Sequence, residues 1–309
     1  MTDDHGDGAG HTLTVVLVVW DAYAGGLLEE ALFSIESQRP RPTILLVDNA
    51  STVPVVAPDG VRVIRAPERL TVGAVRNYGL SHVTSPWAML WDADDVMLPG
   101  TVADLLAHTD DVPGIVVVAT GILDGTTGIR HHWPRRWTAA LTRLPRLYAL
   151  LHAVSSLYPT TGALLRTDTV LQGGGFADAD GGDDWVVGVS LALRGRVVLR
   201  PRLGRVYRHH RGSVSADWTG GDDILRHAAL VRQRLTDDPA APGFTAPARW
   251  ALWLAQLLVV RVLRPASRRL PHRRRELHDL PELPGLAGGP ADSASPGAPD
   301  PAARVGTPR

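Results

Sequence analysis

Leu13 to Trp20 is a nearly unbroken apolar run rich in valine, the pattern of a strand covered on both faces. Gly25 to Gln38 changes period, with Leu27, Leu28, Ala31, Leu32 and Ile35 at helical spacing. Thr43 to Val47 reads as a second buried strand, closed by Asp48-Asn49-Ala50-Ser51. That strand, helix, strand order predicts a parallel, right-handed unit. Val61 to Arg65 predicts a short third strand, Thr71 to His82 a helix, and Trp87 to Trp91 a fourth strand. A helix over Pro99 to His108 and a strand over Gly114 to Thr120 continue the alternation. Pro159 to Arg166 predicts a returning strand, and Asp183 to Leu193 and Asp222 to Leu235 predict helices. Gly173-Gly174-Gly175-Phe176 and Gly181-Gly182 read as flexible loops.

The pattern breaks most sharply after Trp91, where Asp92-Ala93-Asp94-Asp95 sets three carboxylates within four positions. In extended chain Asp92 and Asp94 project to the same side. Like charges that close repel one another unless a cation neutralises them. Mg2+ and Mn2+ take carboxylate oxygens and bring phosphates with them, so the cluster reads as a metal–diphosphate site. An acidic turn ahead of a helix begun at Pro99 is the competing explanation. The acids come too early for that, and the preceding run is too apolar. Ligands in open α/β sheets bind outside the carboxyl ends of strands. Asp21, Asp48 and Asp92 all fall at such ends, so one crevice is expected to hold all three.

Composition narrows the class. The 309 residues, 44% hydrophobic, suit one large α/β domain or two small ones. A formal net charge of zero argues against a nucleic-acid binder. With no cysteine, disulfides and thiolate metal sites are excluded. A dinucleotide dehydrogenase needs G-x-G-x-x-G after its first strand, where this chain has Trp20-Asp21-Ala22-Tyr23-Ala24-Gly25. A P-loop needs a lysine, and every basic residue here is arginine. Met1 to His11 is polar, acidic and glycine-rich, unlike a signal peptide, so a cytoplasmic location is expected.

Seven segments, in order, resemble the inverting glycosyltransferases of family 2, whose nucleotide-sugar-binding domain has the GT-A fold. They are Val15–Trp20 ending at Asp21, Ala31–Gln38, Leu46–Ser51, Gly73–Gly79, Asp92–Asp95, Gly182–Trp185 and Arg208–Ser213. Trp20-Asp21 stands where a Tyr-Asn pair is usual, Asn49-Ala50 where Asp-Gly is usual, and Asp183 where a Glu is frequent. The resemblance implies a Rossmann-like, mostly parallel sheet with helices on both faces, followed by C-terminal helices. It implies a hexosyltransferase-like enzyme that moves a sugar from a nucleotide-diphosphate sugar to an acceptor hydroxyl. Donor contacts fall on Asp21, Asp48, Arg76, Asn77, Asp92, Ala93 and Asp94. A divalent ion, Mn2+ or Mg2+, falls to Asp94, Asp95 and His210, and the acceptor side to Thr161, Gly162 and Trp185. Asp184 is the general base, with Asp183 as its fallback. Two other classes remain open. A nucleotidyltransferase acting on sugar phosphates would want a glycine-rich basic loop after the first strand, which Asp21 to Gly26 does not supply. A non-catalytic nucleotide-sugar-binding module would bind donor without turnover.

The reading divides the chain into a flexible N-terminus (1–11), a nucleotide-sugar-binding half (12–120), an acceptor-binding and catalytic half (121–218), C-terminal helices (219–270) and a disordered tail (271–309). Between His131 and Tyr158, Leu141, Leu144, Leu147, Leu151 and Val154 lie near helical spacing with Arg143 and Arg146 among them. An amphipathic helix near an anionic or lipid-linked acceptor and a helix packed on the sheet both fit this spacing. Arg249 to Val260 is apolar but shorter than the roughly 20 residues of a spanning helix. Arg261, Arg264, Arg268, Arg269, Arg273, Arg274 and Arg275 follow it. Residues 249–275 therefore read as an interfacial helix with a basic anchor, giving peripheral association with the inner face of the plasma membrane. Lipid-linked or cell-envelope glycans are the implied acceptors. A helix packed on the catalytic domain is the alternative.

Overall fold

Alternation along the strands sorts the core into two layers. In β1 (Leu13–Val19), Leu13, Val15, Leu17 and Val19 face one cluster while Val16 and Val18 face the other. The first cluster is closed by α1 (Gly26–Glu36) through Leu28, Leu32 and Ile35. The same alternation runs through β2 (Thr43–Asp48), followed by β3 (Arg62–Arg65). The second cluster is closed by α2 (Val72–Leu80), through Val75 and Leu80. β4 (Trp87–Asp92) ends at the acidic turn, and β5 (Val96–Met97) and α3 (Thr101–Leu106) come next. β6 (Ile115–Asp124), β7 (Arg130–His131), α4 (Pro145–Val154), β8 (Leu164–Arg166), α5 (Thr167–Gln172), α6 (Asp183–Arg194) and β9 (Arg196–Tyr207) complete the α/β layers. α7 (Gly221–Asp237) and α8 (Ala246–Leu258) pack on α4 and α6 around Trp185, Val189, Val231 and Leu252.

The structure, a computed structural model, describes residues 12–23, 26–111, 113–125, 128, 130–131, 143–208 and 221–263. His210, Leu141, the N-terminal residues 1–11 and the tail over 271–309 lie outside the described residues. The sheet runs β3-β2-β1-β4-β8-β6-β9-β5, with β7 on β6. β3, β2, β1 and β4 are mutually parallel, as are β6 and β9, so most of the ladder is parallel. β8 enters antiparallel between β4 and β6. The expected doubly covered, mostly parallel sheet with C-terminal helices is present.

Three differences have clear causes. β6 runs four residues beyond the expected Thr120 because β9 pairs along its whole length. β9 carries no clean apolar pattern in sequence, since Arg196, Arg200, Arg202 and Arg205 interrupt it. Its register skips across Pro201, which has no N–H to give the ladder. The C-terminal apolar run is a longer helix than its sequence pattern: α8 continues through a π-helical turn, Val259–Leu263. Ala246–Leu263 thus spans 18 residues with mean hydropathy 1.3, enough to cross a membrane by length and composition alone.

Candidate active site

The acidic turn after β4 and the N-terminus of α6 open onto the same cleft, of about 430 Å³. Asp92, Ala93 and Asp94 line it from one side, and Asp183, Asp184 and Trp185 from the other. Arg76, from α2, lies between them. Its Nη2 donates to Asp92 Oδ1 and its Nη1 to Asp183 Oδ2, both at 2.7 Å. Burial works against the Arg76 charge, but Asp183, Asp92 and Asp184 outweigh it and hold the guanidinium firmly protonated. Burial pushes the Asp183 carboxyl up while Arg76 pulls it back down.

Asp183 and Asp184 occupy the first turn of α6, where the helix dipole favours negative charge. Their environments differ. The Asp183 side chain is 4% exposed and committed to Arg76. Asp184 is half-buried, its Oδ1 accepts the Trp185 N–H at 2.7 Å, and its carbonyl accepts Thr160 Oγ1 at 3.1 Å. Thr161 lines the cleft beside it. Gly162 sits just behind, at φ 79, where a Cβ would meet the Trp91 ring at 3.3 Å. The Trp185 indole is buried, with Nε1 donating to the His152 carbonyl at 2.6 Å.

The loop that delivers α6 is attached to α2. Val72 N donates to Asp180 Oδ1 at 3.0 Å, Thr71 Oγ1 to Asp178 Oδ1 at 2.5 Å, and Gly73 N to the Ala179 carbonyl at 3.0 Å. A Cβ on Gly73 would lie 1.6 Å from the Ala177 carbonyl oxygen, so only glycine permits this approach. Asn77 holds the preceding loop with both side-chain atoms, Nδ2 to the Phe176 carbonyl at 2.9 Å and Oδ1 from Phe176 N at 2.8 Å. It is not among the cleft-lining residues.

The crevice expected to hold three strand-end aspartates holds only Asp92 of the three. Asp48 is buried beneath the following turn, accepting Ser51 N at 2.9 Å, Val55 N at 3.4 Å and the Arg65 guanidinium. Burial would raise its pKa, but these hydrogen bonds prevail and hold it below the usual carboxylate range. Ala50 adopts φ 53, the left-handed turn geometry for which glycine is better suited. Asp21 binds Thr52 through N at 2.7 Å and Oγ1 at 3.0 Å, and borders a separate concavity of about 650 Å³ between α1 and the Val53–Pro58 segment.

Asp95 also turns away from the cleft. It is fully buried, accepts Arg208 N at 3.1 Å, and lies 3.1 Å from Arg205 Nη1. Burial pushes its carboxyl up, and Arg205 pulls it back down. Among the described residues no three His, Asp or Glu side chains form a ready metal cluster. The donor chemistry still suits a hard cation, because Mg2+ and Mn2+ sites often use one or two carboxylates plus phosphate oxygens. Asp94 lines the cleft.

Sequence reasoning missed Arg205, which lines the cleft from β9 beside Tyr207, and Ile224 and His227, which line it from α7. Their signals were the two-residue spacing on β9 and the three-residue spacing on α7. Burial lowers the His227 pKa, with Asp223 and Asp183 pulling the other way.

The family described as Glycosyl transferase family 2 matches residues 14–169. No curated protein matches the chain by sequence. Among solved structures, S. aureus TarS in complex with UDP-GlcNAc is similar at TM-score 0.57 and 13% identity, over 84% of this chain and 76% of that one. TarS in complex with UDP gives TM-score 0.55 at 14% identity, over 84% and 75%. A mannosyltransferase from Pyrobaculum calidifontis in complex with GDP-Man and Mn2+ gives 0.50 at 18% identity, over 84% and 76%.

Proposed function

The chain belongs to glycosyl transferase family 2, and on that premise we propose that it moves a hexose from a nucleotide-diphosphate sugar to an acceptor hydroxyl with inversion. The observation that carries the reading is the shared cleft, with Asp92 and Asp94 opposite Asp184. Residues 12–120 act as the donor half and 121–218 as the acceptor and catalytic half. Asp184 is the general base, because it faces the cleft while Asp183 is engaged by Arg76. A base must come within hydrogen-bond reach of the hydroxyl it deprotonates. Asp92 and Asp48 serve the nucleoside, with Asp48 acting through the turn it organises. Thr161 and Gly162 belong to the acceptor side, with Trp185 supporting the wall behind the base.

A divalent ion fits the charge balance of the cleft. Among the described residues, Asp92, Asp94, Asp180, Asp183 and Asp184 line it against Arg76 and Arg205, an excess of negative charge facing an anionic diphosphate. Asp94 would hold the ion. Such an ion offsets charge on the departing diphosphate. The structural neighbours bound to UDP-GlcNAc, UDP, and GDP-Man with Mn2+ support this donor class.

The acceptor is a glycan or lipid-linked molecule, in keeping with cell-envelope synthesis. α8 supports work at a membrane surface: Leu252, Gln256 and Val260 are buried against the domain, while Trp250, Trp253, Leu254, Leu258, Val262 and Leu263 are exposed. A helix held down along one face favours peripheral docking over crossing. The inner face of the plasma membrane is the corresponding location.

Calorimetry with UDP and GDP, in Mn2+ and in excess chelator, tests the donor and metal assignments. Binding should weaken in chelator, and Asp94→Ala should remove that metal dependence. Equal affinity with and without metal would overturn the ion site. Failure to bind any nucleoside diphosphate would overturn the donor class.

A further inference from the structure

Arg205 stands on β9 beneath the turn that follows β4, in a position no sequence motif marks. Its side chain is 8% exposed and lines the cleft. Nη1 lies 3.1 Å from Asp95 Oδ2 and 3.5 Å from Asp92 Oδ2. Among the described residues, neither Nε nor Nη1 has a hydrogen-bond partner, nor does Asp95 Oδ2. The ion pairing is therefore present without matching hydrogen bonds. A buried donor left without an acceptor is destabilising, and a guanidinium presents five N–H groups that want one. Gly162 gives this side chain its space: a Cβ there would come within 3.4 Å of Arg205 Cδ. The Tyr207 ring, 5.7 Å from the guanidinium carbon, flanks it on the same strand.

We propose that Arg205 is a donor-binding residue, whose guanidinium hydrogen-bonds a diphosphate oxygen from the cleft wall that it lines. The inference rests on the proposed donor class and adds a residue to it. Its planar fork matches phosphate oxygens and stays charged at any working pH. It supplies a fixed positive charge beside Asp92 that does not dissociate, unlike an ion shared with the ligand. Nucleoside diphosphate binding should therefore keep part of its phosphate preference even without metal. The competing role is purely structural, a counter-charge for Asp92 and Asp95.

The test compares UDP with UMP, and GDP with GMP, by calorimetry on the full chain in Mn2+ and in excess EDTA. The wild-type chain should prefer the diphosphate in EDTA by about 10-fold, the lower range of a charge-assisted hydrogen bond. Arg205→Gln should erase that preference and leave monophosphate affinity unchanged, while Arg205→Lys keeps part of it. Because Arg205→Gln leaves Asp95 without its counter-charge, Arg205→Gln with Asp95→Asn provides a second folded background, and the same loss is expected there. Unchanged diphosphate preference in either folded variant overturns the proposal. So does a parallel loss of mono- and diphosphate binding that follows the melting temperature, which would mark a structural role. A wild-type chain that binds no nucleoside diphosphate overturns this proposal and the donor class together.

Discussion

Arg76 and Asp183, 107 residues apart in the chain, meet in a buried ion pair with Nη1 to Oδ2 at 2.7 Å. The other arm of the same guanidinium holds Asp92. One side chain therefore sets the distance between the carboxylate that ends β4 and the first turn of α6.

Removing one partner of a buried pair leaves the other charge uncompensated, at a cost of about 3–5 kcal/mol. Arg76→Met should lower stability by that order in urea denaturation, and adding Asp183→Asn should recover part of it. If the single and double variants are equally unstable, the pair is not the source of the loss.

Asp184 and Asp183 are expected to separate by phenotype. Asp184→Asn keeps shape and cannot take a proton, so kcat should fall by about 10²–10⁴ with donor affinity retained. Asp183→Asn should act first on stability, through Arg76. Turnover of the Asp184→Asn chain within about threefold of wild type would move the base elsewhere.

His152 makes stability sensitive to acid. It is fully buried between Tyr148 and Tyr158, and its Nδ1 accepts Leu157 N at 2.8 Å. Burial lowers its pKa from 6.5 to about 3. The unfolded chain therefore binds a proton that the folded chain refuses between those values. Its contribution is complete above pH 6.5 and is lost as pH falls toward 3. At pH 5 the loss is about 2 kcal/mol relative to neutral pH. His152→Gln, which keeps an acceptor and does not titrate, should flatten that part of the profile in denaturation series at pH 7.5 and 5.

Membrane docking is read from vesicles. Full-length chain should co-sediment with phosphatidylglycerol vesicles at low salt, be released by high salt, and ignore phosphatidylcholine. Trp250→Ser with Leu258→Ser, both exposed, should weaken sedimentation severalfold and leave UDP binding unchanged. Equal sedimentation of variant and wild type removes α8 from the contact.

The first four strands and their helices were legible in sequence because each is a strongly periodic run buried on a defined face. Asp92, Asp94 and Asp184 stood out as candidates for a different reason, charge at the end of an apolar element, and the structure brings all three to one cleft. β9 was not, since arginines at Arg200, Arg202 and Arg205 mask a strand whose pairing partner is eighty residues upstream at its start. The placement of Asp48 was misjudged because sequence shows the carboxylate but not the turn that folds over it. The Asn77 bridge to Phe176 was hidden for the same reason, its loop lying 99 residues away.

Gly73 has a consequence for how this protein could be rebuilt. With the Ala177 carbonyl occupying the volume of any side chain there, the segment ahead of α6 is moulded against α2 rather than against its own helix. The proposed donor and acceptor halves are consequently not interchangeable modules. A chimera that imports a new acceptor half must import a matching 177–180 loop or keep this one, because an alanine at position 73 would push the loop outward and carry the proposed base with it.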